Sequence, residues 1–206
     1  HGLSIRPLAR YLNLAARPGN GILVVGASTW AVALAQALAQ AGAFVAVADT
    51  RYRRVTRARQ EGLEVHFGDV LSEETALELP LERVSWLLAA TPDDSYNSLV
   101  TVTFARELER SNLIQLTPNQ EPGSTKVKDV RSHLTGSTPW GDNGQYGVIA
   151  RRFWQGAKFK VTAISEQFTW DRLMALNPDG LFLFYVHQSR LHTLCEGGEA
   201  PDGAKV

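Results

Sequence analysis

The chain has 206 residues, 44% hydrophobic and 20% charged, with 21 basic and 21 acidic side chains and a single cysteine. A formal charge of zero leaves no overall field to attract nucleic acid or an anionic lipid surface, and one thiol, Cys195, excludes an internal disulfide framework and any multi-thiolate metal site. No run approaches the ~20 apolar residues needed to cross a bilayer, and no signal peptide opens the chain. The chain therefore reads as soluble, and, beginning at His1 with Met174 as its one methionine, as a piece of a longer product.

Residues 1–18 read as an arm. Pro18, Gly19, Asn20 and Gly21 then break regular structure, and a domain boundary is placed there. Residues 22–25 form a short, fully apolar run that stops at Gly26, the pattern of a buried parallel strand. Trp30, Leu34 and Leu38 recur every four residues among alanines, which predicts a helix closed by Gly42. Residues 44–48 give a second strand ending in Asp49, so strand, glycine turn, helix and strand make one βαβ unit with a right-handed crossover.

The alternation continues with a strand at 65–67 ending in Gly68 and Asp69, and with Ser72, Glu73 and Glu74 as an N-cap and acidic first turn. A strand at 86–90 leads into Thr91, Pro92, Asp93 and Asp94. A helix over about 95–110 and a strand at 113–116 follow. Strands and helices alternating at this spacing predict an α/β fold, a Rossmann-like doubly wound parallel sheet over residues 19–118. Residues 119–147 change to Pro, Gly, Ser, Thr and Asn without periodicity and read as a linker. Residues 148–206 read as a small, truncated α+β module with strands at 158–164, 181–187 and 191–195 and a helix at 170–176, Cys195 being a half-buried strand residue.

A doubly wound sheet binds ligands beyond the carboxyl ends of its strands, where the first glycine turn aims backbone N–H groups and a helix N-terminus at phosphate. That turn is Gly26, Ala27, Ser28, Thr29, Trp30 and Ala31. Gly26 and Ala31 fit the first and third places of the dinucleotide fingerprint, but Ser28 fills the second, where glycine normally lets pyrophosphate approach the backbone. Asp49, with Thr50 after it, stands where an acid accepts from an adenosine ribose. Arg51, Arg53 and Arg54 follow and offer charge for a phosphate instead, so NAD and NADP both stay open with a lean to NAD. Gly68 and Asp69 would lie near the adenine, and Thr91 and Asn97 flank the fourth strand. Each of these residues has an alternative reading as a turn or cap. Sensing of this kind requires the amides after residue 25 to face open space, which Trp30 would defeat if its ring filled the crevice.

Taken together, GILVVGASTWAVALAQAL, VAVADTRYRRVTRARQEGLEVHFGDVLSEE and WLLAATPDDSYNSLVTVTFAREL resemble the nucleotide-binding half of domains that regulate potassium conductance, the TrkA-N or RCK domains. Gly26-Ala27-Ser28 and LLAATPDDSYN at 87–97 look like the version fused to bacterial sodium/proton antiporters of the NhaP type. At the front, His1, Gly2, Leu3, Arg6, Pro7, Leu8 and Arg10 resemble the cytoplasmic end of the last membrane helix of such antiporters, and Arg6, Arg10 and Arg17 suit the positive-inside rule. The resemblance implies a regulatory domain on the cytoplasmic face of the bacterial inner membrane, joined to an antiporter membrane domain in the same polypeptide. It further implies homodimerisation, an NAD(H) or other adenine nucleotide ligand or none, and no catalytic residue in this chain.

Two other readings compete. A free regulatory subunit of a potassium channel or transporter would carry the same domain without fused membrane helices. A nicotinamide-dependent reductase or epimerase commonly needs a tyrosine with a lysine four positions on, and none of Tyr11, Tyr52, Tyr96, Tyr146 and Tyr185 has one. His66, His133, His187 and His192 show no metal or triad spacing.

Overall fold

The computed structural model describes residues 20–119 and 135–206. The expected arm at 1–18 lies outside the described residues. Five strands, β1 (Gly21–Val25), β2 (Phe44–Asp49), β3 (Glu64–Phe67), β4 (Val84–Ala89) and β5 (Leu113–Gln115), pair in parallel in the order β3-β2-β1-β4-β5. The first crossovers run through helices α1 (Thr29–Ala41), α2 (Tyr52–Gln60), α3 (Glu73–Glu78) and α4 (Asp94–Phe104). This is the doubly wound α/β fold that the alternation of elements predicts.

Side chains on a strand alternate between faces, and the central strands sort them into two cores. Ile22, Val24, Val45, Val47, Leu88 and Ile114 enter one cluster with α1, while Leu23, Val25, Ala46, Leu87, Ala89 and Leu113 enter the other with Val100 and Phe104 of α4. Burial on both faces explains why β1 is apolar without interruption, since every side chain meets a helix layer. At the start of α1, Ser28 Oγ accepts from the Ala31 N–H. At its end Gly42 adopts φ +103°, a left-handed conformation open to glycine, and donates back to Leu38 and Ala39.

The fourth helix ends at Phe104, short of the expected 110, and a 3-10 turn at Arg110–Asn112 delivers Leu113 to the sheet. Residues 135–144, within the stretch read as a linker, are packed. Ser137 donates to Leu113 O and accepts from Gln115 N at the sheet edge, and Trp140, 3% exposed, donates from its indole to Leu183 O. Helix α5 (Tyr146–Trp154), helix α6 (Trp170–Leu176) and an antiparallel ribbon of β6 (Phe184–His187) and β7 (Arg190–Thr193) complete the fold. Ile149, Leu183, Phe184, Val186 and Leu191 join the α1-side core. The strand expected at 158–164 is replaced by isolated bridging: Thr162 and Val206 exchange backbone hydrogen bonds, and Ala163 pairs with Lys205. Cys195 is exposed beyond β7 instead of half-buried within a strand.

Candidate functional site

The turn after β1 depends on Gly26. Its φ is +110°, and a Cβ there would come within 2.9 Å of Ala90 O and 3.2 Å of the Thr91 methyl, so only glycine lets the chain bend this close to the end of β4. The Gly26 N–H donates to Ala48 O and the Ala27 N–H to Asp49 Oδ2, both at 2.7 Å. Ser28, in the middle place of the fingerprint, caps α1 through its hydroxyl, an arrangement that uses the side chain a glycine lacks. Among the described residues the backbone N–H groups of Ser28, Thr29 and Trp30 have no partner. Three adjacent free N–H groups at the positive end of a 13-residue helix form a ready anion seat.

Asp49 closes β2 and is 8% exposed. Its Oδ1 accepts from the Arg51 N–H at 2.7 Å, while Oδ2 accepts from the Ala27 N–H and from Arg54 Nη1 at 3.3 Å. The carboxylate thus ties the glycine turn to the start of α2, and three of its roughly four lone-pair directions are in use. Thr50 and Arg51, beside it, are exposed on the connecting turn.

Against this turn lies a hollow of about 390 Å³. Ala27, Ser28, Thr29 and Trp30 form its floor, Arg53, Arg54 and Arg57 of α2 one wall, and Tyr146, Phe153 and Trp154 of α5 the other. Trp30 does not plug it: the ring is 3% exposed and meets Tyr146 edge-on at 5.7 Å, inside the core. Its indole N–H is buried without an acceptor.

Residues 22–123 match the family model of the TrkA-N domain. That stretch is a TrkA-N domain. None of the curated proteins matches the chain significantly. Among solved structures, the chain is similar to the TrkA-N domain of inner membrane protein ybaL from Escherichia coli, at 21% identity over 47% of this chain and 70% of that one, TM-score 0.42. It is also similar to the NAD(P)-binding domain of an exopolyphosphatase-related protein from Archaeoglobus fulgidus, at 22% identity over 58% and 85%, TM-score 0.46. A third likeness is to SirC, a precorrin-2 dehydrogenase, at 20% identity over 66% and 64%, TM-score 0.35.

The remaining expected site residues of the TrkA-N domain hold its other strand-end turns. Gly68 takes φ +144°, where a Cβ would overlap the Thr75 hydroxyl, and its N–H donates to Asp49 O. Asp69 accepts from the Leu71 N–H and, at 2.6 Å, from the Tyr96 hydroxyl. Burial and the adjacent Asp69 carboxylate raise the Tyr96 phenol well above its ordinary range. Asn97 is fully buried and holds Thr91 three ways: Oδ1 accepts from the Thr91 N–H and hydroxyl, and Nδ2 donates to Thr91 O.

The structure therefore brings Ala27, Ser28, Thr29 and Trp30 onto one hollow, with Gly26 shaping the turn and Asp49 tying Ala27 to Arg54 behind it, and places Gly68, Asp69, Thr91 and Asn97 in turns that brace the strand ends. Sequence reasoning missed Arg57 and the whole α5 wall. Arg57 lies one helical turn after Arg53 and Arg54, a spacing legible in the sequence. The docking of α5 beside α1 has no local signal. A larger cavity of about 720 Å³, with Leu34, Phe159 and Phe182 among its lining, lies between α1 and the C-terminal region. It is mostly apolar and does not touch the glycine turn, so the smaller hollow, where free donors and guanidinium groups converge, is the better candidate. Among the described residues no group of three or more His, Cys, Asp or Glu could hold a metal, and no helix is long and apolar enough to cross a membrane.

Proposed function

We propose that this chain is the cytoplasmic regulatory portion of a bacterial cation/proton antiporter, which senses an adenine nucleotide at the β1–α1 turn, pairs as a homodimer, and acts by binding instead of turnover. The supporting observation is the row of unpartnered N–H groups at Ser28, Thr29 and Trp30, facing an arginine-walled hollow inside a TrkA-N domain. TrkA-N domains bind nucleotides of the NAD(P) kind. The antiporter context rests on the likeness of residues 26–28 and 87–97 to the NhaP type and of residues 1–10 to the end of the last membrane helix of cation/proton antiporters. A ligand held between α1, α2 and α5 would regulate by preferring one arrangement of these helices over another, and it can shift the equilibrium only by that difference in affinity.

The test is thermal melting of the chain with AMP, ATP, NAD+, NADH and NADP+ in turn. A ligand present at a hundred times its dissociation constant adds about 2.7 kcal/mol of stability. We expect a shift with at least one of them, and its loss in Asp49→Ala, which frees the Ala27 N–H and Arg54 and loosens the turn. No shift with any nucleotide at millimolar concentration refutes sensing. Pairing is checked by light scattering, where a strictly monomeric mass at high concentration counts against it.

A further inference from the structure

The hollow beside the glycine turn is more cationic than a pyrophosphate seat requires. Arg53 has no partner among the described residues. Arg57 divides itself between Glu61 at 2.9 Å and Thr29 Oγ1 at 3.2 Å, and Arg54 leans on Asp49. Apart from Asp49 and Glu61, each already paired with an arginine, no carboxylate is shown bonding to these three side chains, and no carboxylate lines the hollow. The indole N–H of Trp30, a residue of the hollow's floor, is buried without an acceptor. A buried donor without an acceptor costs free energy unless a ligand or water supplies one.

Resting on the nucleotide reading above, we infer that this hollow takes a phosphomonoester carried on the ligand's ribose, so that the preferred nucleotide is a 2′-phosphorylated adenine dinucleotide. Position supports this. A dinucleotide whose pyrophosphate sits on the free N–H groups of residues 28–30 brings its adenosine ribose to the carboxyl end of β2, where Arg53 and Arg54 begin α2. Asp49 supports it too. In a site for the unphosphorylated sugar that acid receives the 2′-hydroxyl and repels a 2′-phosphate. Here three of its roughly four lone-pair directions are taken by two backbone N–H groups and a guanidinium, so little acceptor capacity is left for the diol and its charge is paired, which weakens its repulsion of an anion. Guanidinium groups match phosphate oxygens in geometry as well as charge.

Isothermal titration of the chain with NADP+, NAD+, 2′,5′-ADP, 3′,5′-ADP and 5′-AMP tests the assignment. We expect NADP+ and 2′,5′-ADP to bind at least about tenfold more tightly than NAD+ and 5′-AMP, the scale of one well-placed charged contact. In Arg53→Ala the preference for NADP+ over NAD+ falls to within about twofold. Because Arg53 is exposed and unpartnered, this variant keeps the wild-type melting curve. Equal or tighter binding of NAD+ overturns the inference and leaves nucleotide sensing intact. Tighter binding of 3′,5′-ADP than of 2′,5′-ADP overturns the 2′ assignment, and failure of every ligand to bind removes the nucleotide reading along with it.

Discussion

Between residues 21 and 115 the chain crosses one sheet five times, and each crossing is fixed by a ladder of backbone hydrogen bonds between strands, all largely buried except the edge strand β3. Residues 135–206 occupy a comparable length yet contribute one two-stranded ribbon, two short helices and isolated bridges. Their order comes from side chains instead. Trp140 packs edge-on against Phe184 at 5.4 Å, Ile149 and Leu183 enter the core beneath α1, and Asn20 Oδ1 accepts from the Leu191 N–H at 2.6 Å. The first region has a shape that the repetition of strand and helix largely dictates. The second takes its shape from the surface of the first, and that dependence is what lets α5 form a wall of the candidate site.

Trp140→Ala should break the comparison most sharply. It empties a large buried site and removes the indole donation to Leu183 O, so we expect a loss of about 3–5 kcal/mol in urea unfolding. If the C-terminal region depends on the sheet through this contact, amide exchange in 146–206 accelerates while β1 and β4 stay protected. Uniform loss of protection would mean that the two regions unfold as one. Next in size is Gly26→Ala, which forces a Cβ against Ala90 O at an unfavourable φ and should cost about 2–3 kcal/mol by thermal melting. Its damage should fall on the β1–β4 contact and leave the β6–β7 ribbon unaltered. Asn97→Ala leaves the Thr91 N–H and carbonyl unpaired near the end of β4 and should cost about 1–3 kcal/mol. A loss below a few tenths would show that water replaces the amide there.

The same contrast explains what was legible in the sequence. Residues 22–25, 44–48 and 86–90 announce buried parallel strands because each lies between two helix layers and tolerates no polar side chain, and the Ser72 cap reads directly because its hydroxyl meets an N–H three residues on. Trp140 was invisible because its neighbours are the glycines, prolines and serines of a linker, and its partner, Phe184, lies 44 positions away. The strand expected at 158–164 shows the reverse error: among the described residues its backbone pairs only with residues 203–206, in isolated bridges and not a ladder. At the candidate site the glycine turn and Asp49 could be placed from sequence. The direction of the Asp49 carboxylate could not, because it follows from where the Ala27 N–H and Arg54 happen to converge.

The smallest predicted effect concerns pH and belongs to the C-terminal region. His192 on β7 stacks on Tyr185 at 4.8 Å, and partial burial, with the nearby His187 and Arg190, holds its imidazole below the ordinary 6.5. A histidine whose folded value is lowered binds fewer protons in the folded chain than in the unfolded one between the two values. Stability therefore rises with pH across that window: this contribution is complete above 6.5 and is lost as the pH falls below it. Because the group is only partly buried, the change is small, about one kcal/mol or less. Melting temperatures followed from pH 7.5 down to 5 should decline less steeply in His192→Phe, which keeps the stack and removes the titration. Parallel declines in the two proteins would place the acid sensitivity elsewhere. Confinement of the difference to exchange rates in β6 and β7 would show that even this weak perturbation respects the boundary between a region built on ladders and one built on side chains.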